Sequence, residues 1–430
     1  MSTKKITVFI FLLVTGVFLL TACGGKDQKP VSISFYRRGY IAGSNDPISS
    51  TVDAAVAAFE KRFPYITVSV VGVPYSTEGN AQMEAALERG TDINVLSLYP
   101  AMIPDLARRG VISDIEPYMT EADKQDFYDN GMQIATVDGK VYAWPIWVTS
   151  VAIYSNPEIF KERGITPPTI DDPWTWDEFV AASKQLTFTR ADGTQVYGFS
   201  APSRPNEIVY LPIFYMDGGR VLSPDARIFV QNSPEAVSAL QKFADLHLVE
   251  NVTPPDFGTV GQAEVRAQFK AGTLAMVMDT PNLIPELQGE NVAFDVFPPP
   301  VGETGQIITS GGIGIYGVVK VSDPEVLAAA HEFARYITGA DVAKDVPGWQ
   351  LAPSLRRSNT TYATDEPRIL ISRLVTYGIF EAPVDISSEL NDQYEYALQS
   401  ILLGEKTAQE AMDEIAPIYQ NELDILYKDQ

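Results

Sequence analysis

The sequence predicts an α/β protein built as two domains. Three observations carry that expectation. Short segments of strand period alternate with segments of helix period from residue 31 onward. About 400 residues follow an apolar leader, too many for one hydrophobic core. Hydrophobic residues make up 45% of the chain, a normal share for a globular protein.

The elements can be justified in order. Val31-Ser-Ile33-Ser-Phe35 alternates with period two and reads as a strand. Between Ser49 and Arg62, Val52, Ala55, Val56 and Phe59 recur at helical spacing, and Pro64 ends the run. Ile66-Thr-Val68-Ser-Val70 is a second strand, Asn80 to Arg89 a helix closed by Gly90, and Ile93 to Leu98 a buried strand. This β-α-β-α-β order implies parallel pairing. Later helices have local start signals. Thr175-Trp-Asp-Glu178 and Thr407-Ala-Gln-Glu410 are capping boxes, in which hydroxyl and carboxylate satisfy each other's backbone donors. Ser233-Pro234 opens a helix to about Leu248, and Asp323-Pro324 opens another with Leu327, Ala330, Phe333, Ala334 and Ile337 on its inner face. Pro417 falls inside the last helical pattern. Trp176, on the apolar face of its helix, and Trp144 are expected in the core.

The amino terminus has its own logic. Lys4 and Lys5 precede an apolar run from Ile6 to Leu20, and Leu20-Thr-Ala-Cys23 follows. Basic start, apolar run and small residues are the order of a secretory signal. The four residues ending in Cys23 resemble the bacterial lipobox, whose cysteine is diacylated and becomes the new first residue. Residues 1–22 are therefore expected to be a lipoprotein signal peptide, and residues 23–30 a polar tether held to the membrane through Cys23. The apolar run is short of the ~20 residues that span a bilayer.

Composition excludes several classes. The chain carries 55 acidic and 32 basic residues, a formal charge of −23. Such acidity argues against nucleic acid as a partner. Cys23 is the one cysteine and His247 and His331 the two histidines, so no disulfide, thiol nucleophile or His-rich metal site is expected. Gly312-Ile-Gly314-Ile-Tyr-Gly317 matches a dinucleotide-binding spacing but leads into another strand instead of a helix, so no dinucleotide site is expected. Phosphate-loop, zinc-protease and nucleophile-elbow motifs do not occur. No cofactor, metal or catalytic residue is assigned.

Five further segments carry a family resemblance. Ala58-Phe-Glu-Lys-Arg-Phe-Pro-Tyr-Ile-Thr-Val68, Val137-Asp-Gly-Lys-Val-Tyr-Ala-Trp-Pro145, Val151-Ala-Ile-Tyr-Ser-Asn156 with Trp174-Thr-Trp-Asp-Glu-Phe179, Phe269-Lys-Ala-Gly-Thr-Leu-Ala-Met-Val-Met278 and Leu402-Leu-Gly-Glu-Lys-Thr-Ala-Gln-Glu-Ala411 occur in order. Together they resemble the extracellular solute-binding proteins of the sugar-binding group, over nearly the whole chain after the leader. The resemblance implies a two-lobed periplasmic-binding-protein-like fold of type II with three hinge crossings, near Trp147–Ala152, Phe297–Val301 and Ala340–Asp345. One lobe would hold 31–149 plus 301–341, the other 150–300 plus 342–430. It implies a monomer at the extracellular face of the bacterial cell membrane, capturing a carbohydrate for the permease subunits of an ABC importer.

The resemblance also points to residues, on loops at strand ends that face the cleft. These are Tyr36, Arg37 and Arg38 after the first strand, Tyr99 after the third, and Trp147 and Thr149 at the first crossing. Tyr215 and Asp217 precede Gly218-Gly219, Asp279 follows the Ala-Met strand, and Gly312 and Trp349 complete the set. One departure stands out: where many members carry a stacking Trp after Gly-Pro, this chain has Asp279-Thr-Pro-Asn282. A non-sugar solute, a secreted glycoside-active enzyme and a lipoprotein with a protein partner are the rival readings.

Overall fold

The computed structural model describes residues 29–89, 93–204, 209–349, 352–381, 384 and 386–428. Residues 1–28, and with them the expected signal peptide, Cys23 and most of the expected tether, lie outside the described residues. Among those described, no helix is long and apolar enough to cross a membrane.

Two five-stranded sheets organise the chain. The first runs in the order Ile66–Val73, Val31–Arg38, Val95–Leu98, Ile313–Val318, Ala143–Val148. Its first three strands pair in parallel, with Ile33 opposite Val68 and Phe35 opposite Val95. Ile313–Val318 runs antiparallel to both of its neighbours. The second sheet runs Asp295–Phe297, Ala152–Ser155, Leu274–Asp279, Gln195–Ser200, Phe188–Thr189. Each sheet is buried under helices and has its own core. Phe35, Phe59 and Phe333 meet edge to face in the first; Phe179 and Phe199 do so in the second. Separate cores for about 400 residues are what surface-to-volume scaling demands.

The helices start where their caps lie. Asp46 accepts the backbone N–H of Ile48 and Ser49 and starts helix Pro47–Arg62. Both capping boxes form, Thr175 with Glu178 and Thr407 with Glu410. Ser233 and Asp323 cap helices Pro234–Leu248 and Pro324–Ile337. The last helix, Ala408–Leu426, continues through Pro417. Trp144 and Trp176 are both buried.

The chain first passes between sheets at residues 149–151, between strands Ala143–Val148 and Ala152–Ser155. The second passage is not at Phe297–Val301. Phe297 belongs to the second core, and Val301 is held there by its N–H donating to Trp174 O at 2.9 Å. Ile307 and Ile308 also pack with the second lobe. The chain returns at residues 309–312. Nor does it leave again at Ala340–Asp345. Val342, Val346 and Trp349 fill the first core. Arg356 is locked to Asp123 at 2.7 Å in the same lobe, and Ser358 to Asp126. The third passage therefore lies between Ser358 and Tyr362, which packs with the second lobe. Residues 301–308 consequently sit with the second lobe and 342–358 with the first, correcting the sequence-based boundaries.

The first two passages run side by side. Thr149 N–H donates to Gly312 O at 2.8 Å, Val151 N–H to Ser310 O at 3.1 Å, and Thr309 Oγ1 to Val151 O at 2.8 Å. Gly311 makes that approach possible, because a Cβ there would lie 1.9 Å from Thr149 O. Gly311→Ala is therefore expected to force the two passages apart and cost about 1–3 kcal/mol, as overpacking does. Urea unfolding checks this against Gly289→Ala, whose Cβ meets nothing within 4 Å. Equal midpoints for the two variants would refute the close-approach argument.

Candidate functional site

Ligands of open α/β sheets bind beyond the carboxyl ends of the strands. In the first sheet those ends are Arg37 and Arg38 of one strand and Val73, followed by Pro74 and Tyr75, of its parallel neighbour. A cavity of about 150 Å³ opens there. Arg37 and Tyr75 form one wall, with Ile48 and Thr51 from the opening turn of helix Pro47–Arg62. Trp147 and Thr149 come from the first passage, Tyr316 from strand Ile313–Val318, and Trp349 from the segment after the helix at 340–345. Asn282 reaches it from the second lobe. The site thus lies between the lobes and beside the hinge. Its volume is below the ~300–1,000 Å³ of drug-sized sites, so it suits one small group of a larger ligand.

Each wall is fixed by packing. Trp147 pairs with Ser354 across the sheet edge, and its indole fills the space that a Cβ on Gly314 would occupy. The Trp349 indole N–H donates to Ile337 O at 2.9 Å, leaving the ring edge and face as cavity wall. Thr149 Oγ1 donates to Gly312 O at 3.2 Å, so Gly312 belongs to the hinge as well as to the rim. The cavity therefore combines aromatic surface with hydroxyls, one amide and one guanidinium. That is the mixture that covers apolar ring faces and bonds a hydroxyl rim.

The structure places the sequence-derived candidates in three groups. Arg37, Trp147, Thr149 and Trp349 line this cavity together, with Gly312 against Thr149. Tyr36, Arg38 and Tyr99 lie beside it. Tyr36 packs on the first core. The Arg38 guanidinium lies 4.1 Å from the Tyr99 ring centre, covered by that half-exposed ring. Successive residues of a strand point to opposite faces, so Arg37 and Arg38 diverge from one strand end.

The third group is not brought to the cavity. Tyr215 is buried in the second core, where burial pushes its hydroxyl pKa up. Asp217 accepts from Lys242 Nζ at 2.9 Å, Ser238 Oγ at 2.8 Å and Glu303 N–H at 3.0 Å. Burial opposes its ionisation, but these donors outweigh it and hold the carboxyl below the usual range. Asp279 is fully buried and accepts from Arg266, Gln262 and the Thr280 N–H. Both carboxylates are spent on the second lobe's own structure. Tyr75, Tyr316 and Asn282 are among the cavity residues that sequence reasoning missed, with Ile48 and Thr51 of the neighbouring helix. Tyr75 directly follows the end of the second strand and could have been found by the strand-end rule; Tyr316 sits inside a strand and has no such signal.

A larger groove of about 510 Å³ lies elsewhere, between Asn130, Gln133 and Thr136 of the first lobe and Arg220, Ser223 and Glu381 of the second, with Phe380 packed on the first core. It is not at the parallel strand ends. Two of its polar groups are engaged in joining segments: Asn130 donates to Val375 O and Gly378 O, and Glu381 accepts the Val221 and Leu222 N–H. It serves the joint between lobes better than a ligand.

Comparison with known proteins fits this geometry. Residues 42–344 match the family described as bacterial extracellular solute-binding protein. A binding protein of Brucella abortus is 25% identical over 265 residues, so the match spans 61% of this chain and 61% of that relative's length. The galactooligosaccharide-binding protein of Bacillus subtilis is 23% identical over 425 residues, 95% of both chains. An ABC substrate-binding protein from Listeria monocytogenes, solved in complex with cycloalternan, superposes with a TM-score of 0.69 at 21% identity, over 94% of this chain and 100% of that one. Two sheets joined by adjacent passages, a cavity between them at the strand ends, and a family match across well over half the residues lead to one conclusion: the chain belongs to the bacterial extracellular solute-binding protein family.

Proposed function

We propose that this protein captures a carbohydrate between its two lobes and delivers it to the permease of an ABC importer, moored to the outer face of the cell membrane through a lipid on Cys23. The observation that carries the carbohydrate reading is the interlobe cavity, where Trp147, Trp349, Tyr75 and Tyr316 supply ring surface beside Thr149 and Asn282. The kinship with a galactooligosaccharide-binding protein and with a protein solved around cycloalternan supports it. The adjacent passages at 149–151 and 309–312 supply the hinge about which such lobes close.

A binder is favoured over a glycoside-active enzyme by the cavity's chemistry. Glycoside hydrolysis takes two carboxyl groups flanking one bond. The described lining residues include no carboxylate, and Asp217 and Asp279 are committed elsewhere.

A thermal-unfolding screen of the protein against mono- and oligosaccharides tests the reading. A true ligand at 100 times its Kd adds about 2.7 kcal/mol by mass action. A hit that is recovered chemically intact after incubation is the expected result. Silence across the whole sugar panel, or cleavage of the hit, would overturn it.

A further inference from the structure

We propose that the ligand is an acidic saccharide, whose anionic group is received by Arg37 in the wall of the cavity. This rests on the carbohydrate reading above and narrows it. Arg37 is the one charged side chain among the described cavity residues. Its Nη1 donates to Arg38 O at 2.5 Å and lies 3.5 Å from Tyr75 Oη. Its Nε is enclosed and has no acceptor among the described residues. The enclosed Nε is out of a ligand's reach, so Nη2, which has no acceptor among the described residues, is the nitrogen left to meet an oxygen of a carboxylate, sulfate or phosphate in the cavity.

The contrast with the other buried arginines sharpens this. Arg266 is matched to Asp279 and Glu286, and Arg356 to Asp123 and Asp126. Buried charges ordinarily carry such partners. Arg37 and its neighbour Arg38 have none within ion-pair distance among the described residues, in a chain where acids outnumber bases 55 to 32. Arg38 is buried with a carbonyl at 3.4 Å, a thioether at 3.9 Å and the Tyr99 ring as its surroundings, and its Nε is likewise without an acceptor. Two adjacent cations at one strand end are thus left electrostatically unmatched by the protein itself. An incoming anion supplies the missing partner.

The nearby helix end does not compete for that role. The first N–H groups of helix Pro47–Arg62 are taken by the Asp46 carboxylate, so the opening turn offers Ile48 and Thr51 as wall while Arg37 supplies the charge. The chain's overall negative charge does not oppose binding at this depth, because fields from exposed carboxylates decay within about 8 Å at physiological ionic strength.

The test is calorimetry on the whole mature chain with matched pairs. Uronates and sulfated sugars are each compared with the neutral sugar of the same ring, and succinate and inorganic phosphate serve as non-sugar anions. The expected result is that an acidic member binds at least about 10-fold more tightly than its neutral counterpart. Arg37→Gln should weaken that acidic ligand about 10- to 100-fold and the neutral one by much less, with Arg37→Lys restoring part of the loss. Thermal unfolding of the unliganded variants verifies that they fold. Equal affinity for both members of each pair, binding of neutral sugars alone, or no binding of any acidic sugar would overturn the inference. Neutral binding alone would leave the carbohydrate reading intact. Succinate or phosphate binding as tightly as the uronates would uphold the anion seat and refute the carbohydrate reading instead.

Discussion

Asp279→Ala is expected to destabilise the protein by about 3–5 kcal/mol, the cost of removing one partner of a buried ion pair. The carboxylate is fully buried, and the Arg266 guanidinium grips both of its oxygens, Nε to Oδ2 at 2.8 Å and Nη2 to Oδ1 at 2.8 Å. Gln262 Nε2 adds a bond at 2.9 Å. Removal would leave Arg266 charged in a half-closed site, with only Glu286 at 2.9 Å to offset it. Glu286 is itself shared with Lys270, so the compensation is incomplete and the loss should fall toward the lower end of that range. Urea unfolding of the variant would measure it. Replacing both partners together, Asp279→Leu with Arg266→Met, should recover much of the loss, because an apolar pair carries no desolvation cost. An unchanged midpoint for Asp279→Ala would show that the carboxylate is not structural and return it to the list of groups free to meet a ligand.

That example shows what a sequence can and cannot display. Thr175 with Glu178 and Thr407 with Glu410 were legible because each partner is three residues from the other. The parallel order of the first three strands was legible from the alternation of periods, and the two-lobed class followed from ordered family segments. Asp217 and Asp279 were misjudged because their partners are distant: Lys242 is 25 residues from Asp217, and Arg266 is 13 from Asp279. A carboxylate after a strand looks alike whether a solute or a nearby helix claims it. The passages failed in a similar way. The family resemblance implies a crossing near Ala340–Asp345, yet Val342, Val346 and Trp349 complete a core whose other members begin at Ile33. Strand-end position leads to Arg37 in the cavity lining, and the first crossing implied by the resemblance leads to Trp147 and Thr149. Neither leads to Tyr316 or Asn282, which arrive by sheet register and by the apposition of the second lobe.

The other large effect concerns acid. Stability should fall by about 1.4 kcal/mol per pH unit between about pH 6 and pH 4.5 because of one residue, His331. The residue is buried in the first core, its ring stacked 3.7 Å from that of Tyr118. The hydrogen bonds around it leave one neutral arrangement. Trp144 Nε1–H can only donate, and it lies 3.3 Å from Nδ1, so Nδ1 accepts. Nε2 then carries the proton and donates to Ser113 Oγ at 2.7 Å, and the Ser113 hydroxyl donates to Val318 O at 3.3 Å. A second ring proton would face the Trp144 N–H and place a charge in the core without a counter-charge. Burial accordingly pushes the pKa down to about 3, from 6.5 in an unfolded chain. Above pH 6.5 both states are neutral at this site and the full stability is present. Below it the unfolded chain binds a proton that the folded chain refuses, so stability is lost progressively until about pH 3. His247, the other histidine, is half-buried and its pKa is also lowered by burial, which Asp256 partly offsets, so it acts in the same direction. Burial raises the Glu381 carboxyl pKa, and that residue therefore acts in the opposite direction. Measuring unfolding free energy against pH for the wild type, His331→Gln and His247→Gln separates the contributions. The slope between pH 6 and 4.5 should flatten markedly in the first variant and only slightly in the second. A wild-type slope retained in His331→Gln would mean that the buried imidazole is not what refuses the proton.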